Sequence, residues 1–205
     1  MRHSVIVIDD FYEDADEVRR MALDMDYPEF EKDTNYPGSN SVQKFLPEGL
    51  DDIASELTHE KLIGNETQFH GNFRISLGGH DELRVRNIHV DPNVHWSGIL
   101  YLTEPEHCRG GTEFYRHLPT GTDRGPIYQH ELEEWGVESY AEAVEGVLLA
   151  DTNDDDKWEH LMTVPMRHNR LILIRPYFWH TSGPSFGSGF DDGRLVQLFF
   201  FSKIG

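Results

Sequence analysis

From Phe69 onward the chain is a succession of short apolar runs punctuated by glycine, proline and acidic residues. "QFHGNFRISLGG", "ELRVRNIHVD", "HWSGILYLTE", "RGGTEFYRH", "RLILIRPYFWHTSG" and "GRLVQLFFFSK" have the length and the β-branched and aromatic make-up of strands. Gly78-Gly79 marks a turn between the first two. Strands that dominate this half of the chain, with helices gathered at the front, predict an antiparallel domain closed as a jelly roll or barrel-like sandwich. The front of the chain differs. "SVIVIDDFY" reads as one short strand, and "DADEVRRMALDM" as a helix with Val18, Met21, Ala22 and Met25 on one face. "YPEFEKDTNYPGSN" reads as loop and "PEGLDDIASELTHEKL" as a second helix. The expected class is therefore mainly β with flanking α, the N-terminal helices packed on the sheet.

Two segments stand apart from this pattern. Residues 120–146 begin with Gly, Asp and Pro and continue into "HELEEWGVESYAEAVEG", which is polar, acidic and helical. They read as an insertion, a lid or a partner-docking surface. The run Asp154-Asp155-Asp156 before "KWEHLM" reads as a helix N-terminus, where the dipole favours acids, rather than a metal cluster.

At 205 residues the chain is expected to be a single domain, 1–205, with a substantial core. A formal charge of −19 argues against binding to nucleic-acid backbone or an anionic membrane surface. Cys108 is the only cysteine, which leaves no internal disulfide and no thiolate zinc cluster. The N-terminal apolar run is too short for a signal peptide and no stretch approaches a bilayer span, so a cytoplasmic location is expected.

One strand-like run carries polar residues where packing is expected. In a strand, residues two apart share a face, so His89 and Asp91 project together while Ile88 and Val90 face the other way. Burying a carboxylate costs several kcal/mol unless it is paired or binds a metal. A third ligand is His180, at the end of "RPYFWH". Two imidazoles and one carboxylate on one face of a cation, without thiolate, suit non-haem Fe(II), although Zn or Mn fits the same donors. Arg194 opens the apolar run "RLVQLFFF", where its fork geometry suits a carboxylate, and Tyr101 on a neighbouring run can supply a hydroxyl.

His89-x-Asp91, the distal His180 and the following Arg194 resemble the Fe(II)- and 2-oxoglutarate-dependent oxygenase superfamily. "WSGILYLT" followed by "RGGTEFY" is similar to its prolyl-hydroxylase-like branch, and "GGTEFYRH", "NRLILI" and "HTSGPSFG" look like a group of small bacterial proteins of unassigned substrate. The resemblance covers about residues 70–202, outside the insertion. It implies a double-stranded β-helix, Fe(II) as metal, and 2-oxoglutarate and O2 as co-substrates, with succinate and carbon dioxide released. By position it implies Arg194 and Tyr101 at the distal carboxylate of 2-oxoglutarate. The interval from His180 to Arg194 is longer than the family's usual spacing. Asp91 is retained, whereas halogenating relatives lack that carboxylate, so hydroxylation of a small molecule, amino acid or peptide is favoured. No side chain beyond the ligands is then needed as acid or base.

Two other readings compete. A metal-dependent cupin-like isomerase or hydrolase with Zn or Mn would keep the triad and have no use for Arg194. A non-catalytic binding module would bind no stoichiometric Fe(II). Among the bystanders, His95 is the rival ligand and reads as pocket rim or surface. His107 and His117 read as substrate-mouth or, more simply, solvated histidines. Trp179, Arg86 and Asn87 adjoin ligands and read either as substrate contacts or as packing.

Overall fold

The computed structural model describes residues 3–29, 37–80 and 88–204. β1 (Val5–Ile8) leads into α1 (Ala15–Leu23), followed by β2 (Ser39–Lys44), α2 (Leu50–Thr58), β3 (Leu62–Gly64) and β4 (Asn72–Ser76). Beyond the second undescribed segment come β5 (Trp96–Tyr101), β6 (Gly111–His117), α3 (Gln129–Trp135) and α4 (Tyr140–Asp151). β7 (Trp158–Pro165), β8 (Arg170–Ile174), β9 (His180–Thr181) and β10 (Arg194–Lys203) complete the chain. No helix among the described residues is long and apolar enough to cross a membrane.

The larger sheet has the order β1-β8-β5-β10-β4-β2, with β3 also on β10, and the smaller has the order β7-β6-β9. Every strand pair is antiparallel. From β4 onward, counting the bridge at His89, the chain passes back and forth between the sheets, with only β6 and β7 successive in the same one among the described residues. β4, β5, β8 and β10 join the larger one, while His89, β6, β7 and β9 join the smaller one, His89 through a bridge to His180. This is the winding of a jelly-roll-like fold.

β10 shows how the two faces are assigned. Leu195, Phe199 and Phe201 belong to a core shared with Phe73, Trp96 and Leu100 and with Val18, Ala22 and Ala54 of the first two helices. Val196 and Leu198 face the other way, into a core with Tyr101, Phe114, Val164 and Ile172 between the sheets. Gln197 is fully buried on the helix side, but Tyr12 donates to it and it donates to the Phe45 carbonyl, each at 2.8 Å. A buried amide so satisfied costs little.

Four expectations need correction. α1 starts where its signals say, with the Asp14 carboxylate accepting from Glu17 N at 2.8 Å, but it ends at Leu23, so Met25 lies beyond it. Arg19 is buried on its inner side and donates to the Asp191 carbonyl at 2.7 Å. The expected loop at 27–40 holds the start of β2, which pairs with β4 through Ser39 and Asn40. "KWEHLM" is no helix: Asp155–Lys157 form one 3-10 turn and the rest is β7, an edge strand with only Trp158 and Val164 buried. "RLILIRPYFWH" is not one strand. β8 stops at Ile174, Pro176 has no N–H for the ladder, and the chain crosses to the other sheet before His180.

The close approach of β6 to its neighbours depends on glycine. A Cβ on Gly111 would lie 2.0 Å from the Val164 carbonyl oxygen, and one on Gly183 would lie 2.2 Å from the Gly111 oxygen. Gly183 also has φ +73, which side-chain-bearing residues avoid.

Candidate metal centre

β9 and an isolated β-bridge at His89 position the imidazoles. His89 N donates to His180 O at 2.9 Å and His180 N returns a bond to His89 O at 3.0 Å, so the side chains stand together on one face. Their ring centroids are 4.5 Å apart. Asp91 follows two residues later, its N–H donating to the Pro176 carbonyl at 3.0 Å. The crossing segment from Arg175 to Trp179 therefore carries His180 into place and also fixes the strand bearing the other two ligands.

His180 Nε2 lies 3.5 Å from Asp91 Oδ2, and His89 Nε2 lies 4.0 Å from Asp91 Oδ1. One donor atom from each residue can be chosen so that all three lie within 4.8 Å of one another. Donor atoms that each sit about 2.1 Å from a common cation are at most about 4.2 Å apart, and these two carboxylate separations, one to each Asp91 oxygen, lie within that limit. The tautomer fits too. His180 Nδ1 lies 2.8 Å from the Phe178 carbonyl oxygen, which only accepts, so Nδ1 carries a proton and the neutral ring keeps its lone pair on Nε2. Ser97 donates to Asp91 Oδ2 at 2.6 Å and aims the carboxylate.

Burial works against charge on both partners of this pair, yet attraction wins. The hydrogen bond and charge of His180, with His89 and Ser97 adding to them, hold the Asp91 carboxyl below the usual range. The same carboxylate, with the Phe178 carbonyl, raises His180 despite its desolvation.

The back of this strand is held by α4. Ile88 and Val90 pack with Val144, Val147, Leu148, Trp158 and Trp179. Those two apolar residues face away from the ligands, as their alternation with His89 and Asp91 predicts. None of the described residues of 120–146 lines the cavity in front of the triad. That cavity is walled by the triad, by Thr112, and by the inward residues of β10: Arg194, Val196, Leu198 and Phe200.

Arg194 is buried, and its guanidinium carbon lies 5.9 Å from the Tyr101 ring centroid. Tyr101 reaches the cavity through Thr112: its hydroxyl is 2.8 Å from Thr112 Oγ1, and Thr112 forms the wall. His95 is neither ligand nor rim. It sits in a separate cluster, 2.8 Å from Arg175 Nη1 and 3.2 Å from Glu60. His117 is not solvated: it is buried against Trp158, with Asp151 and Thr120 each 2.9 Å from a ring nitrogen. His107 lies in a 3-10 turn away from the cavity, and Trp179 is wholly buried packing. Arg86 and Asn87 lie outside the described residues.

Sequence reasoning missed Ser97, Thr112 and Arg74, all of which line the cavity. Arg74 had a signal. It interrupts the apolar run "NFRIS" much as Arg194 opens "RLVQL".

Residues 1–197 match a family described as of unknown function (DUF6445), and the chain belongs to that family. No curated protein matches the chain. Among solved structures it is similar to a selenomethionine-labelled Fe(II)/(alpha)ketoglutarate-dependent dioxygenase, TqaL, at 9% identity and a TM-score of 0.41. That match covers 98% of this chain and 83% of the other.

Proposed function

We propose that the protein is a non-haem Fe(II)- and 2-oxoglutarate-dependent dioxygenase on a double-stranded β-helix. The observation that carries this reading is the convergence of His89, Asp91 and His180 on a cavity whose wall includes the buried Arg194. Two imidazoles and a carboxylate hold a ferrous ion on one face and leave the other open to exogenous ligands. Arg194 pairs with the distal carboxylate of 2-oxoglutarate, and the Tyr101–Thr112 hydroxyl pair supports it. Iron with 2-oxoglutarate and O2 supplies the oxidising chemistry, and hydroxylation of a C–H bond is the expected outcome. The chain's own part is to hold the ligands in one tautomer, aim the carboxylate through Ser97, and exclude water with Val196, Leu198 and Phe200.

Aerobic incubation with Fe(II), 2-oxoglutarate and excess ascorbate, the reductant that stands in for the substrate, tests this. Succinate should be released by the wild type and not by His180→Ala. Arg194→Gln should raise the 2-oxoglutarate requirement about 10- to 100-fold, the worth of a charged hydrogen-bond pair. An unchanged requirement, or no succinate from the iron-loaded wild type, contradicts the reading. Either result favours a Zn- or Mn-dependent isomerase or hydrolase on the same ligands.

A further inference from the structure

Two guanidinium groups share the cavity wall. β4 and β10 pair with Arg194 opposite Ser76 and Val196 opposite Arg74. Directly opposed residues of an antiparallel pair point to the same face, so Arg74 and Arg194 are diagonal neighbours, roughly 7–8 Å apart at the backbone. Both line the cavity that contains the triad. Arg74 is held in place from behind, its Nε donating to Asn40 Oδ1 at 2.7 Å on β2. The bond occupies Nε and fixes the plane of the guanidinium, so an anion in the cavity would be met by the terminal nitrogens.

We propose that Arg74 recognises the organic substrate by pairing with its carboxylate, so that the protein acts on small carboxylic acids with an apolar body. This rests on the dioxygenase reading, in which Arg194 serves 2-oxoglutarate and Arg74 serves the second ligand of the same cavity. The apolar body is accommodated by Leu198 and Phe200 and by Phe69, whose ring is half exposed at the cavity. The formal charge of −19 gives the opposite impression, of a cationic substrate. That charge is spread over the whole chain, whereas the wall facing the metal site carries two guanidiniums.

Calorimetry on the Zn(II)-loaded protein tests the proposal without turnover. With 2-oxoglutarate saturating, phenylacetate, octanoate and N-acetylphenylalanine are titrated alongside their primary amides. At least one acid should bind about tenfold or more tightly than its amide. Arg74→Gln should bring that acid to the level of its amide, Arg74→Lys should keep part of the preference, and both should bind 2-oxoglutarate as the wild type does. The proposal is overturned if no acid outbinds its amide, or if the preference survives Arg74→Gln. It is also overturned if Arg74→Gln weakens 2-oxoglutarate as Arg194→Gln does, because both guanidiniums would then hold one carboxylate. A wild type that binds no 2-oxoglutarate counts against the dioxygenase reading instead. The acid preference measured without co-substrate still decides the role of Arg74.

Discussion

The Thr152 hydroxyl donates to the Ile88 carbonyl at 2.7 Å, tying the end of α4 to the residue just before the first candidate ligand. Behind that bond, Leu148 packs against the strand that presents His89 and Asp91. The C-terminal end of α4 and Thr152 thus support the candidate site from the back. Leu148→Ala should cost about 2–5 kcal/mol and lower Tm by roughly 5–15 °C. Thermal unfolding checks this, and an unchanged Tm would mean that α4 does not stabilise the strand.

Ser97 lines the cavity and donates to Asp91 Oδ2. Partners that orient a ligand in this way are worth about 10- to 100-fold in metal affinity. Ser97→Ala should lose that much Zn(II) or Fe(II) affinity in a competition titration while its circular dichroism stays that of the wild type. Equal affinities would mean that Asp91 is aimed without help from the hydroxyl.

How much of this was legible beforehand depended on whether the signal was local. His89 and Asp91 could be assigned to one face because alternation in a strand needs no knowledge of the rest of the fold. His180 stands out in the sequence by its chemistry, but its strand does not, since the crossover at Pro176 is a tertiary event inside an apolar run. The start of β7 reads as helix in the sequence because three aspartates look the same before a 3-10 turn as before an α-helix. The burial of His117 was hidden for a related reason. Its partners Asp151 and Trp158 are more than thirty residues away, on α4 and β7. Ser97 and Thr112 carry no distinctive sequence signal at all.

Away from the metal centre, Glu60 joins the start of β5 to the end of β8. It accepts from Trp96 Nε1 and Arg175 Nη2, each at 2.9 Å, while the Arg175 guanidinium lies 4.0 Å from the Trp96 ring centroid. Burial opposes the charge on Glu60, but the Trp96 hydrogen bond and the charges of Arg175 and His95 pull its pKa from 4.5 down to about 2. A folded-state pKa below the unfolded one gives stability that is present above pH 4.5 and fades as pH falls toward 2. Glu60→Gln should therefore be less stable than wild type at neutral pH, by roughly 1 kcal/mol after solvent screening. The gap should narrow on acidification through that window. Urea melts at several pH values read it out, and a gap that widens in acid would reverse the assigned sign.

The most direct test of the metal assignment is the anaerobic absorption spectrum of the Fe(II)-loaded protein as 2-oxoglutarate is added. A visible metal-to-ligand charge-transfer band should grow to one equivalent and be missing from Asp91→Ala. Ferrous ion bound stoichiometrically, with 2-oxoglutarate in excess and no such band, would contradict chelation of 2-oxoglutarate at His89, Asp91 and His180.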